Sequence, residues 1–208
     1  MWHLVYQNCG RHSTSSVNLN NYSMLNDQLI DSTQPSHQEL EKKMVSMVRN
    51  IRNKQDYVKF LKLMYGYYSA LERRIQEYVS EMEIGKRRKA GRLMEDINYF
   101  ESSETPALCK DLPPICSHAE ALGALYVMEG ATQGGSSIAK MIEGQAGING
   151  PSGFSFFNGY GEDNGKMWEE LKGILNRPFD EMEKLNLILT ANRTFITFYN
   201  WIDRHAAA

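Results

Sequence analysis

Apolar residues recur along most of the chain with a period of about 3.6, the spacing of one face of an α-helix. No segment sustains the alternation of apolar and polar residues that is typical of a half-buried strand. The pattern therefore predicts an all-α fold. The fourth predicted helix opens on a capping box formed by Ser117 and Glu120. The predicted helices cover approximately residues 32–52, 54–82, 86–100, 117–142, 166–175 and 178–203.

The first predicted helix has two candidate starts. Ser32 can serve as the N-cap, and Pro35 then falls in the first turn, where its missing N–H costs nothing. Alternatively, Ser36 and Glu39 form a capping box. The preceding residues, 1–26, are rich in Asn and Ser, and we expect them to form a flexible leader.

Length and composition indicate an ordinary folded protein. A chain of 208 residues suits one domain, here predicted as a single helical domain over residues 27–205. The net charge of −2 gives no general reason to expect binding to nucleic acid or to a membrane surface. Polar residues interrupt every apolar run before it could cross a bilayer, and residues 1–26 lack the apolar stretch of a signal peptide. We therefore expect a cytoplasmic protein.

The fourth predicted helix contains an unusual number of glycines. Gly130 and Gly134 lie four residues apart on one face, Gly135 lies beside them, and Gly123 precedes them by about two turns. Each mid-helix glycine costs about 0.5–1 kcal/mol relative to alanine, so a compensating role is expected. Two roles are physically reasonable, namely close packing of a neighbouring helix or contact of a flat ligand with bare backbone. From the residues alone, close packing is favoured.

One histidine of five is a candidate ligand. His37 lies in the apolar stripe of the first predicted helix, although a lone histidine on such a face is more often a satisfied core residue. Glu41 follows at i+4, where it could hold the far ring nitrogen and fix the tautomer of a metal-bound imidazole. No cluster of His, Cys or carboxylates suggests tetrahedral zinc. A single protein ligand beside a flat apolar slot fits heme, whose porphyrin supplies the other four nitrogens.

Three segments of the sequence resemble the heme oxygenase family. Residues 37–41, HQELE, look like the proximal-histidine helix of that family. Residues 125–135, LYVMEGATQGG, are similar to the distal helix of its bacterial members, and residues 156–161, FFNGYG, resemble the segment that follows. The resemblance covers about residues 25–203, and further matching positions are Thr33, Met167, Trp168, Thr194, Phe195 and Trp201.

This resemblance implies a helical bundle that holds a b-type heme between the first and fourth predicted helices. His37 would be the proximal iron ligand, with Glu41 and Gly135 at the heme-binding site, while Gly130 and Gly134 would form the distal wall where catalysis occurs. Heme would be both cofactor and substrate. O2 and electrons from a ferredoxin or a flavin reductase would convert it to biliverdin, carbon monoxide and ferrous iron.

The sequence also departs from the family pattern. Mammalian members carry an Asp directly after the first distal glycine, and Ala131 occupies that position here. The basic residue that the family places seven positions before the ligand is replaced by Ile30. Lys166 is our candidate partner for the heme propionates and Lys172 a weaker one, although either could be a surface lysine. These departures keep open a non-catalytic heme-binding or heme-storage protein of the same fold, and a helical interaction module without ligand.

Two further patterns are interpreted structurally. The basic run over residues 86–89 could dock an acidic ferredoxin or reductase, but a solvated helix face is the favoured interpretation. The several tyrosines of the second predicted helix are expected to be packing residues.

Overall fold

The computed structural model describes residues 25–87, 89–100, 106–148 and 152–205. Within these ranges every regular element is helical and no strand is present, so the predicted all-α fold is confirmed. Short 3₁₀ turns lie at Gly85–Arg87, Ala131–Gln133 and Gly161–Asp163. The α-helices are α1 Leu25–Arg49, α2 Lys54–Ile75, α3 Glu81–Ile84, α4 Ala90–Phe100, α5 His118–Gly130, α6 Gly135–Ala146, α7 Ser155–Asn158, α8 Asn164–Leu175 and α9 Glu181–His205.

Helix α1 begins earlier than the sequence pattern predicted. Leu25 and Leu29 are buried and extend the apolar stripe by two turns towards the N-terminus. Ser32 is therefore not the N-cap, and Pro35 lies in the helix interior, where it cannot donate a backbone hydrogen bond. The first two described residues belong to this helix although they were assigned to the leader, and the remainder of that predicted leader, residues 1–24, lies outside the described residues.

The other predicted helices need smaller corrections. Helix α2 ends at Ile75, well before the predicted residue 82, and its N-cap Asn53 accepts a hydrogen bond of 2.9 Å from the amide of Asp56. Helix α4 begins at Ala90 and not near residue 86. Helices α8 and α9 follow the predictions over 166–175 and 178–203 closely.

Helix α5 is the centre of the bundle. Every residue from Ala121 to Gly130 is buried, so this helix is enclosed on all sides and has no solvated face. Helix α9 packs along both α5 and α1, and α2 packs on α4. Helices α1 and α9 run in the same direction, because Ser36 bonds Asn192 at 2.7 Å and Lys43 pairs with Asp203 further along both helices.

The fourth predicted helix is split in the structure into α5 and α6. Its predicted N-cap is confirmed, since Ser117 accepts a hydrogen bond from the amide of Glu120. The break follows Gly130, where the hydroxyl of Thr132 donates to the carbonyl of Glu129 at 2.7 Å. In a continuous α-helix that carbonyl would accept the amide of Gln133. The regular α-helix is therefore interrupted by a 3₁₀ turn within the glycine-rich segment. None of the described helices is long and apolar enough to cross a membrane.

Candidate functional site

A cavity that opens to solvent lies between α1, α2, α5, α6, α7 and α9, with about 610 Å³ of empty space when the open part is included. Most of its walls are aliphatic or aromatic, and the polar side chains on it belong to His37, Glu41 and Tyr68. The remaining lining residues are Leu40, Met44, Met64, Val127, Gly130, Ala131, Ile138, Phe156, Phe157, Phe195 and Phe198.

Helix α1 presents His37 to this cavity. His37, Leu40, Glu41 and Met44 follow the i, i+3, i+4, i+7 spacing of one helix face, and all four line the cavity. The His37 ring is half-buried and lies 5.2 Å from the ring of Phe195, measured between centroids. The hydrogen bond between Ser36 and Asn192 joins α1 to α9 directly beside His37. The protein therefore supports the imidazole on the side of α9.

The end of α5 contributes a wall with almost no side chain. Gly130 lacks a Cβ and Ala131 carries only a methyl group, so the backbone itself borders the cavity here. Beyond the interruption that follows Gly130, Ile138 of α6 lines the same cavity. His37, Glu41 and Gly130, three of the predicted site residues, are thus brought together around one space.

The other glycines of the segment serve packing. A methyl group added at Gly123 would overlap the carbonyl oxygen of Leu187 in α9, and one added at Gly135 would overlap the carbonyl oxygen of Phe157. Gly134 is buried at the break, but neither it nor Gly135 is among the cavity-lining residues. The packing role considered for the glycines therefore occurs at Gly123 and Gly135, whereas Gly130 leaves bare backbone at the cavity.

The lysines predicted to bind propionates lie away from the cavity. Lys166 is exposed on α8 and does not line the cavity. Lys172 forms an ion pair of 2.7 Å with Glu169 on the same helix. The structure does not bring either lysine to the cavity, and their assignment as propionate partners gains no support from it.

Tyr68 is a polar cavity residue that the sequence interpretation treated as packing. That interpretation is correct for Tyr57 and Tyr67, whose buried hydroxyls donate to the carbonyls of Gly153 and Thr194 at 2.8 and 2.9 Å. Within the described residues, the Tyr68 hydroxyl has no hydrogen-bond partner. Burial raises the pKa of Tyr68 well above its ordinary value, and nearby carboxylates raise it further. Tyr68 is therefore a neutral donor at the cavity. The spacing of the tyrosines in the sequence does not distinguish Tyr68 from the packing residues Tyr57 and Tyr67.

We call the backbone at Gly130 and Ala131 that borders the cavity the glycine wall. A buried ionic cluster lies next to it in the chain, at Glu129. Glu129, which precedes Gly130, is fully buried and pairs with Arg87 at 3.0 Å and with Lys89 at 2.9 Å. The interpretation of residues 86–89 as a solvated face is therefore wrong for Arg87 and Lys89, which are 3% and 1% exposed. It holds for Lys86, while Arg88 lies outside the described residues. The two buried charges are also unavailable for docking an acidic partner.

Comparisons with known proteins identify the family and the fold. A family model described as heme oxygenase matches residues 23–204. Solved structures share the fold, among them the heme oxygenase of Leptospira interrogans, with a TM-score of 0.70 and 16% identity over 88% of this chain and 100% of that chain.

Two further solved structures are comparable. The NO- and CO-bound heme oxygenase of Neisseria meningitidis has a TM-score of 0.74 and 20% identity, over 88% of this chain and 92% of that chain. Heme oxygenase-1 of the cyanobacterium Synechocystis, in complex with heme, has a TM-score of 0.69 and 17% identity over the same shares, 88% and 92%. Comparison with curated proteins finds no match.

Proposed function

The chain belongs to the heme oxygenase family of heme-degrading oxidoreductases, and we propose that it binds a b-type heme in the cavity described above and cleaves it to biliverdin, carbon monoxide and ferrous iron. The observation that carries this proposal is a single apolar cavity lined both by an imidazole, on His37, and by side-chain-free backbone, at Gly130. O2 and an external reductant of the ferredoxin or flavin reductase class complete the reaction.

The residues around the cavity fit this substrate. A porphyrin needs a space with apolar walls, and the aromatic side chains of Phe156, Phe157 and Phe195 supply much of the lining. In the described part of the chain, no three His, Cys, Asp or Glu side chains converge as metal ligands. A lone imidazole therefore suits a metal that arrives with its own in-plane nitrogens. When bound, heme supplies that iron and is also the molecule that is cleaved.

In this proposal His37 holds the iron and Glu41 orients the imidazole. Glu41 lies one helical turn further along the same face and lines the same cavity, the spacing at which a carboxylate can hold the far ring nitrogen directly or through water. A neutral imidazole donates less electron density than a thiolate and so favours O–O cleavage less strongly. This property suits oxidation of the porphyrin itself.

The glycines act in two ways. Gly130 and Ala131 let a flat ring approach the backbone closely, because almost no side chain intervenes. Gly135 acts indirectly, since its close contact with the backbone of Phe157 holds a residue that itself lines the cavity. Gly134 is the residue directly before α6, where the α-helix resumes after the interruption.

Tyr68 supplies the polar group that Ala131 cannot. The Tyr68 side chain is buried at the cavity and its hydroxyl is neutral, so the hydroxyl can donate a hydrogen bond to a water or to a small ligand there. A positioned hydroxyl or water is needed to deliver protons to the reacting oxygen.

Replacing Tyr68 by Phe is therefore expected to slow bilin formation by about 100-fold, the lower range for loss of a positioned proton donor. Hemin affinity should change little, because the apolar ring is retained. The matched control is Tyr67→Phe, whose hydroxyl bonds the carbonyl of Thr194 away from the cavity lining. Single-turnover absorbance after reduction measures both variants. Equal rates for Tyr68→Phe and the wild type would refute this role.

The function itself is tested by adding hemin and then electrons. A Soret band should appear with hemin, and ascorbate or reduced ferredoxin in air should replace it with bilin absorbance and released carbon monoxide. A Soret band that persists under reducing turnover conditions would instead indicate the non-catalytic heme-binding protein. Absence of any Soret band would indicate a helical module without this ligand.

A further inference from the structure

We propose that the Glu129 cluster, formed by Glu129, Arg87, Lys89 and Tyr160, is a positioning device that fixes the glycine wall of the cavity. The proposal rests on the proposed function, because the wall matters only if the cavity receives the reacting substrate. None of the four side chains lines the cavity. Their effect on the reaction must therefore be transmitted through the backbone at Gly130.

Both oxygens of the Glu129 carboxylate are occupied. Oε2 accepts a hydrogen bond of 3.0 Å from Arg87, while Oε1 accepts one of 2.7 Å from the Tyr160 hydroxyl and pairs with Lys89 at 2.9 Å. Lys89 also bonds the Tyr160 oxygen at 2.8 Å. A carboxylate held from several directions has little freedom to rotate, so the Cα of Glu129 and the peptide that follows it are held as well.

The cluster joins segments that are distant in the sequence. Arg87 also donates to the carbonyl of Met167 in α8 at 2.9 Å. The Glu72 carboxylate on α2 accepts hydrogen bonds from the backbone amides of Lys89 and Ala90. Helix α2 also carries Tyr68. The end of α5 is thus fixed relative to both α8 and the helix that bears the cavity hydroxyl.

The chemistry of the cluster favours a positioning role over a purely stabilising one. Burying an ion pair costs desolvation energy, and well-packed apolar residues often stabilise a core equally well. Burial lowers the pKa of Lys89, and the Glu129 carboxylate opposes this shift. The charged groups instead restrict geometry. Each hydrogen bond constrains a donor–acceptor distance and angle at Glu129, the residue before the glycine wall.

The test compares Glu129→Gln with the exposed control Glu170→Gln. Glu129→Gln keeps the side-chain volume but removes the charge and turns one acceptor into a donor facing Arg87, Lys89 or Tyr160. Glu170 is 48% exposed and lies 3.7 Å from Arg87, so its replacement tests the loss of a negative charge at the edge of the cluster. Tyr160→Phe removes the two hydrogen bonds of the Tyr160 hydroxyl, to Glu129 and from Lys89, without changing any charge. It also keeps the test valid if Glu129→Gln does not fold.

The first readout is hydrogen exchange in the heme-free protein. Amides of residues 130–134 should exchange faster in Glu129→Gln and in Tyr160→Phe than in the wild type or in Glu170→Gln. This measurement is independent of turnover, so it separates failure of this inference from failure of the proposed function. Unchanged exchange in both cluster variants would overturn the inference.

The second readout is the reaction. Displacing a reacting group by about 1 Å can cost about 100-fold in rate, so Glu129→Gln should lower the turnover rate by about 10- to 100-fold. Hemin affinity should remain within about threefold, because the cavity lining is unchanged, and the proportions of bilin isomers should shift. An equal loss of affinity and turnover with an unchanged isomer ratio would mean that the cluster only stabilises the fold, and would also overturn the inference.

Discussion

The His37→Ala protein should bind hemin without an axial protein nitrogen and should form bilin at least about 100-fold more slowly than the wild type, since even outer-shell changes at metal sites cost about 10–100-fold. The reason is that, among the described residues, His37 is the one imidazole on the cavity, and removing it leaves Glu41 and Tyr68 as the polar side chains there. The ferric absorption spectrum and the single-turnover rate measure the two effects. Added imidazole should restore part of both, because the deleted ring leaves a space of matching shape beside Phe195.

The matched control for this variant is His118→Ala. His118 is largely exposed and bonds Glu83 at 3.0 Å, and it does not line the cavity. We expect its ferric spectrum and turnover to match the wild type. A His37→Ala spectrum identical to that of the wild type would show that another group ligates the iron, and the assignment of His37 would be abandoned.

Gly123→Ala is the substitution expected to damage the fold most. The added methyl group would overlap the carbonyl oxygen of Leu187 and lie 3.2 Å from the amide nitrogen of Ala191. Both atoms are backbone, so no side-chain rotation can relieve the contact, and α5 and α9 must move apart. Overpacking of this kind should lower the free energy of unfolding by about 3 kcal/mol. Urea denaturation followed by circular dichroism measures the change.

Gly144→Ala is the contrasting substitution, at a helical glycine that is not packed against other backbone. Gly144 lies within α6, is exposed, and has open space where a Cβ would be added. The substitution should raise the free energy of unfolding by about 0.5–1 kcal/mol, because alanine loses less backbone entropy in a helix. If Gly123→Ala were as stable as the wild type, the close crossing of α5 and α9 would be wrong.

The helical character of the chain could be predicted from the sequence because it is a local property. The 3.6-residue period of apolar positions depends on neighbours within one or two turns, and it gave the correct type of every long helix. Helix ends were less accurate where a distant contact intervenes. The start of α1, for example, is decided by the burial of Leu25 and Leu29 in the bundle, which no local signal at Ser32 reports.

Part of the candidate site could also be predicted from the sequence. The apolar stripe around His37 and the glycines near Gly130 are both visible as patterns, and resemblance to a family joined them. The sequence could not distinguish the glycine that borders the cavity from Gly123 and Gly135, which are in contact with other backbone. That distinction depends on which segment faces each Cα.

By itself, then, the amino-acid order determined the helices, the position of the single candidate imidazole and the unusual absence of side chains near residue 130. Only the tertiary structure decided that Arg87 and Lys89 are buried against Glu129, that Tyr68 lines the cavity, and that Lys166 does not line it. The physical reason is the range of the interactions involved. Helix formation is encoded within a few residues, whereas a charge or a hydroxyl acquires its role from partners that the fold brings from another part of the chain.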